Sequence, residues 1–222
     1  MKPLRTIDRV ETEDGLLELK QRSERDFLIT IDNRVLMTST AHRSEEVLGI
    51  VACRRLKPYA RPRVLIGGLG MGYTLRAVLD ELPPTGQVVV AELNPVTEKW
   101  CRGPLALLTN DALSDPRVKV EIADVSGVMA RAASHPERRF DAIVIDLYVG
   151  PDAGTGVRDP LYGKKACARA HEALTAQGIF GVWGEAYDAA FATRLEAVGF
   201  NVRHERPGKG GLRHVVYVAQ KK

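Results

Sequence analysis

The chain has 222 residues, 45% apolar and 27% charged, enough to core one α/β domain with a smaller appendage. It holds no apolar run of membrane-spanning length and opens without an apolar segment, so neither a membrane partner nor a secretory signal is expected. The net charge of +4 is scattered and lacks interleaved aromatic residues, which argues against nucleic acid. Three distant cysteines form neither a disulfide framework nor a zinc pattern, and a reducing cytoplasm follows as the default.

Residues 1–40 read as β structure. Leu17, Leu19, Phe27, Ile29 and Ile31 alternate with polar residues, and Asp14-Gly15 and Asp32-Asn33 supply turns between the runs. Arg34 to Thr38 is a further strand. From Ser44 the spacing of Val47, Leu48, Val51 and Ala52 becomes helical, with Ser44 as the expected cap and Glu45 and Glu46 in the first turn. Pro58 and Pro62 close this segment. The boundary falls there, between a small N-terminal β domain with its linking helix (residues 1–58) and a larger domain (residues 59–222).

In the larger domain apolar strands alternate with helical segments. The strands start at Val64, Gln87, Arg117, Phe140 and Gly178, and the helices cover about residues 73–82, 96–107, 125–133, 162–174 and 189–198. Such alternation specifies a doubly wound, mostly parallel, Rossmann-like sheet. Two closing segments, from Gly199 and from His214, are joined by a short glycine-rich link over residues 207–211, which favours an antiparallel pair. The expected architecture is a seven-stranded sheet with an antiparallel final strand, preceded by the β-hairpin domain.

Ligands of such sheets bind beyond the carboxyl ends of the strands. The first strand ends in Gly67, Gly68, Gly70 and Gly72, and the next three end in Glu92, Asp124 and Asp146. Glu92 lies at the spacing from the glycine turn expected of an acid that accepts ribose hydroxyls. A dinucleotide is disfavoured, because Tyr73 and Leu75 occupy the positions where its pyrophosphate turn needs a third small residue. Asp146 is the candidate proton acceptor, with Tyr148 and Asp152 as further catalytic candidates on the loop that follows. That loop, rich in Gly, Pro and Asp over residues 149–160, is a candidate lid. The histidines show no metal-ligand spacing, and Trp183 is a candidate for lining an acceptor pocket.

Four stretches together resemble the spermidine synthase family of polyamine aminopropyltransferases. They are Val64-Leu-Ile-Gly-Gly-Leu-Gly-Met-Gly-Tyr-Thr-Leu75, Val90-Ala-Glu-Leu-Asn-Pro95, Asp115-Pro-Arg-Val118 before Ala123-Asp124, and Phe140-Asp-Ala-Ile-Val-Ile-Asp146. The resemblance implies the class I S-adenosylmethionine-dependent methyltransferase fold, with the glycines against the amino-acid part of S-adenosylmethionine or its decarboxylated form. It further implies Glu92 and Leu93 at the ribose, Asp124 and Val125 at the adenine, and Asp146 beside the sulfonium. The chain departs from the family in three places. Leu69-Gly-Met-Gly72 replaces an Asp-Gly-Gly turn, Ser44-Glu45-Glu46 replaces Tyr-His-Glu, and Asp146-Leu-Tyr-Val-Gly-Pro-Asp152 lacks the second amine-gripping carboxylate in register. Those departures favour methyl transfer to a small-molecule acceptor over aminopropyl transfer, with a non-catalytic nucleoside-binding module as a third reading. The N-terminal strands are too few to stand alone, which points to a homodimer.

Overall fold

The computed structural model describes residues 3–152, 155–207 and 214–222. Four strands open the chain: β1 (Arg5–Thr12), β2 (Gly15–Ser23), β3 (Asp26–Ile31) and β4 (Arg34–Thr38), paired in sequence order as an antiparallel sheet. Asp32 and Asn33 both adopt left-handed backbone, at φ 45° and 63°. Two such residues in succession match the right-handed twist of the strands they join. The inward face of this sheet carries Leu17, Leu19, Phe27, Ile29 and Ile31, all buried.

Helix α1 (Arg43–Cys53) begins at His42 rather than at a serine cap. The expected cap at Ser44 is not formed. Ser44 lies inside the first turn, and its hydroxyl donates to the Glu45 carboxylate at 2.6 Å instead. Leu48, Val51 and Ala52 bury the inner face of α1, which packs on the larger sheet rather than on the strands before it.

The larger domain runs β5 (Arg63–Gly67), α2 (Tyr73–Glu81), β6 (Gln87–Glu92), α3 (Pro95–Arg102), β7 (Val118–Ile122), α4 (Val125–Ser134), β8 (Phe140–Ile145), α5 (Lys164–Ala173), β9 (Leu174–Gly184), α6 (Ala189–Ala197), β10 (Phe200–Glu205) and β11 (Val215–Lys221). Helix α3 stops five residues short of its expected end, because Gly103-Pro104 cannot continue it; a 3-10 turn over Ala106–Leu108 follows. Strand β9 starts earlier than expected, its register with β8 shifting between Phe140 and Ala142 as Gln177 takes φ 62°.

The strand order is β10-β11-β9-β8-β5-β6-β7. Strands β5 to β9 pair in parallel, and β11 lies antiparallel between β9 and β10. Residues 208–211 of the link between the last two strands lie outside the described residues. Strand order reverses at β5, with β6 on one side and β8 on the other, so a crevice opens at its carboxyl end. One core, under α1, α2 and α3, merges with the apolar face of the N-terminal sheet, and the other lies under α4, α5 and α6. The small sheet thereby becomes a wall over the crevice. Among the described residues no helix is long and apolar enough to cross a membrane.

Candidate active site

A cavity of about 450 Å³ occupies that crevice, a size typical of small-molecule sites. Its floor is the turn between β5 and α2. Gly68 sits at φ 91° and Gly70 at φ 52°, left-handed conformations that glycine adopts without steric cost. A Cβ at Gly68 would collide with the carbonyl of Asp146, and one at Gly70 would lie 2.9 Å from the Met37 sulfur. The bare backbone of these two residues lines the cavity. Gly67 and Gly72 do not. Gly67 ends β5, where a Cβ would press on Val125 at 2.7 Å, and Gly72 opens α2 at φ 84°. Leu69 and Met71, where the sequence departs from the family, point into the core and are fully buried.

Glu92 ends β6 with its side chain turned back to the turn. One carboxylate oxygen accepts from the Leu69 amide at 2.9 Å, the other from the Asn94 amide at 2.8 Å. Burial raises its pKa, and these backbone donors oppose the rise. Each oxygen keeps a further lone pair for a hydroxyl from the cavity. Asp124, after β7, caps α4 by accepting from the Ser126 amide at 2.7 Å. Val125 and Leu93 line the same end.

Asp146 lies one residue past β8. Burial pushes its pKa up to about 7, with the nearby charge of Glu45 adding to the rise and the hydrogen bond from Thr74 opposing it. The Thr74 hydroxyl lies 2.5 Å from Asp146 Oδ2 and 3.2 Å from the Glu45 carbonyl. A hydroxyl has one proton and two lone pairs. It donates to Asp146 when the carboxylate is ionised. When Asp146 is protonated it accepts instead and turns its own proton to the Glu45 carbonyl. Asp146 can therefore take up and release a proton without leaving a group unpaired.

The sequence reading missed Glu45 as a site residue. It is 8% exposed and lines the cavity beside Asp146, because α1 packs on the main sheet. Thr74 and Ser44 were missed too: the first stands in the glycine stretch and the second opens Ser44-Glu45-Glu46, but their partners Asp146 and His214 are distant in sequence. Trp183, at the end of β9, lines the cavity as expected. Tyr148 lines it half-exposed, with the Arg34 guanidinium 5.9 Å from its ring centre. Asp152 does not reach the cavity: it lies exposed in a turn with Thr155. The carboxylate brought in from this loop is Asp159, whose Oδ1 also accepts from the Leu161 and Tyr162 amides. Residues 153 and 154 of the expected lid lie outside the described residues.

The N-terminal sheet closes the cavity with Leu17, Ile29, Ile31, Leu36 and Met37, and its first turn adds Asp14. Six carboxylates line the whole space: Asp14, Glu45, Glu92, Asp124, Asp146 and Asp159. Among the described residues no Lys, Arg or His lines it.

Comparison with known proteins agrees with this arrangement. Over 120 residues, 54% of the chain, the sequence is 34% identical to a polyamine aminopropyltransferase of Mycobacterium tuberculosis (strain H37Rv), and over 118 residues it is 31% identical to one of Clostridium tetani (strain Massachusetts / E88). The matched stretches span only 22% and 39% of those relatives. No family model matches the chain. The crystal structure of spermidine synthase from Thermotoga maritima superposes with a TM-score of 0.76 at 21% identity, covering 98% of this chain and 73% of that one. Human methyltransferase-like protein 13, in complex with SAH, superposes with a TM-score of 0.59 at 23% identity over 82% of each chain. The fold is thus the class I methyltransferase fold with the N-terminal antiparallel sheet seen in spermidine synthase. More particularly, the resemblance to the spermidine synthase family read from the four sequence stretches is borne out by the named relatives and by the fold.

Proposed function

We propose that the protein is an alkyltransferase that moves an aminopropyl group from decarboxylated S-adenosylmethionine to an amine carried on an alkyl body. The supporting observation is the charge of the cavity, six carboxylates faced by no basic side chain among the described residues. S-adenosylmethionine brings a carboxylate of its own, which would enter this negative field unpaired; the decarboxylated form brings only its sulfonium and ammonium. This reverses the preference for methyl transfer drawn from the three departures from the family. The amine-gripping anions missing next to Asp146 are supplied by Glu45, from α1, and by Asp159, farther along the same loop. The relatives' names point the same way.

In this reading Gly68 and Gly70 let the donor approach the backbone, Glu92 accepts from its ribose hydroxyls, and Asp124 and Val125 meet its adenine. Its sulfonium supplies an electrophilic carbon with a neutral thioether as leaving group, so no acid is needed there. The acceptor lies along the apolar wall of the N-terminal sheet with an ammonium held by carboxylates. Asp146 receives the proton that the attacking amine must lose. Positioning and exclusion of water carry the rest.

Calorimetric titration with both donors tests the reading. The decarboxylated form should bind about tenfold or more tightly, the effect of one unpaired buried charge. Incubation with 1,4-diaminobutane should then release methylthioadenosine. Tighter binding of S-adenosylmethionine itself would overturn the assignment in favour of methyl transfer.

A further inference from the structure

An amine that displaces a thioether from a sulfonium carbon forms one N–C bond and breaks one C–S bond, the C–S electron pair leaving on sulfur. Starting from the ammonium form, one proton is released per turnover. Asp146 can receive it, but among the described residues no Lys, Arg or His lines the cavity to take it on. A turnover is complete only when it has left.

The wall behind Glu45 provides a route. Ser44 Oγ lies 2.6 Å from Glu45 Oε2 and 2.9 Å from His214 Nδ1, and the Trp183 indole donates to the same oxygen at 3.3 Å. Ser44 is buried, whereas His214 is half-buried at the foot of β11 and within reach of solvent. The indole has no acceptor, so it always donates. The serine hydroxyl has one proton and can give it to only one of its two other neighbours. Two arrangements satisfy every atom. In the first Glu45 is ionised, Ser44 donates to it, and His214 donates from Nδ1. In the second Glu45 is protonated and donates to Ser44, which donates to a bare Nδ1. They differ by one proton moved from Glu45 to His214.

We propose that Glu45, Ser44 and His214 form a relay that carries the released proton from the cavity to solvent, with Trp183 holding Ser44 in line. Asp146 and Glu45 line one cavity, and the charge of Glu45 bears on Asp146, so the relay takes up the proton of Asp146 across that cavity. Passage through Ser44 to a bare Nδ1 makes His214 an imidazolium, which releases the Nε2 proton to water and is left with the proton on Nδ1. When Glu45 is next protonated, the neutral ring exchanges that proton to Nε2 through water and frees Nδ1 for the next passage. Among the described residues the relay is flanked by the cavity carboxylates on one side and the Trp183 ring on the other, its centre 4.8 Å from that of His214. The inference rests on the aminopropyl reading for its reaction, but the hydrogen-bond chain stands in the ligand-free protein.

Two measurements on the full chain test it. With decarboxylated S-adenosylmethionine and 1,4-diaminobutane in dilute buffer, His214→Ala should lower kcat about tenfold, part of what proton transfer contributes to such reactions. Added imidazole should restore it while leaving the wild type unchanged. His214→Gln, which keeps a polar side chain against Trp183, should lose the same activity. A variant as fast as wild type in dilute buffer, or a loss that imidazole does not repair, overturns the relay. Nitrogen-15 NMR of the ligand-free protein is independent of turnover: His214 should carry its proton on Nδ1, and Ser44→Ala should move it to Nε2. A tautomer indifferent to Ser44 also overturns the relay. If the wild type alkylates no amine from either donor, the functional reading fails separately.

Discussion

Glu92 at the end of β6 and Asp146 just beyond β8 are both carboxylates raised above the ordinary range by burial, yet the protein treats them differently. Glu92 is given two backbone amides, one on each oxygen. Those donors belong to the turn and to the start of α3, cannot reverse, and favour the ionised form. Asp146 is given a hydroxyl that can donate or accept, and a second carboxylate, Glu45, as neighbour. One end of the cavity is therefore built to remain an anion, as ribose recognition requires. The other is built to change its charge, as proton transfer requires. Two acids at the ends of the strands flanking β5 thus acquire different chemistry from their partners.

Asp146→Asn should break the reactive end outright. Turnover should fall by about 10² to 10⁴, the usual contribution of a positioned acid or base, while donor affinity stays within about threefold because Glu92 is untouched. The same change should stabilise the fold at alkaline pH. Between about pH 4 and pH 7 the folded state holds a proton on Asp146 that the unfolded chain has lost, so stability falls as pH rises through that window. Discounted for the partial exposure of Asp146, the gain at pH 8 should be about 1–2 kcal/mol and should vanish at pH 4. Urea melts at the two pH values check it, and a variant less stable at both would contradict the charge cost assigned to this group.

Glu92→Ala should break the other end. Donor binding should weaken about a hundredfold, the loss of two hydroxyl acceptors at about 1–1.5 kcal/mol each. Unlike the first variant it should also destabilise the fold, because the Leu69 and Asn94 amides lose their partner. Calorimetry at several pH values measures this. Full-strength nucleoside binding would remove the whole site assignment.

Much of this contrast was legible in the sequence, but only its outline. The alternation of strand and helix, the glycine turn and the three acidic strand ends are local patterns, and Glu92, Asp124 and Asp146 line one cavity. The partners that give each acid its role are not local. Thr74 reads as an ordinary residue in a helix, and it meets Asp146 only because β5 and β8 are neighbours in the sheet. Ser44 reads as a cap, but the helix starts one residue earlier and leaves its hydroxyl for Glu45. Asp152 is the catalytic candidate that the sequence offers farther along the loop after Asp146. The loop carries it to the surface and brings Asp159 inward instead, and a segment without periodicity holds no signal of that path. The methyl-over-aminopropyl preference had the same origin: it read three departures from the family stretch by stretch, whereas the cavity collects its anions from six separate places in the chain.

The smallest expected effect is also the finest test of why the two acids differ. Thr74→Val keeps the shape of the side chain and removes its hydroxyl, leaving Asp146 without the donor that favours its ionised form. The ionised form is the one that accepts a proton, so the acid limb of kcat/KM should move to higher pH by about one unit, the worth of one hydrogen bond to a charged group. At pH 9 the variant should approach wild type, and near pH 6 it should be about tenfold slower. Thr74→Ser restores a hydroxyl and should restore the limb. A loss equal at every pH would mean that Thr74 only packs against Asp146. In that case the reactive end owes its charge change to burial and Glu45 alone, and the hydroxyl has no part in separating the two ends.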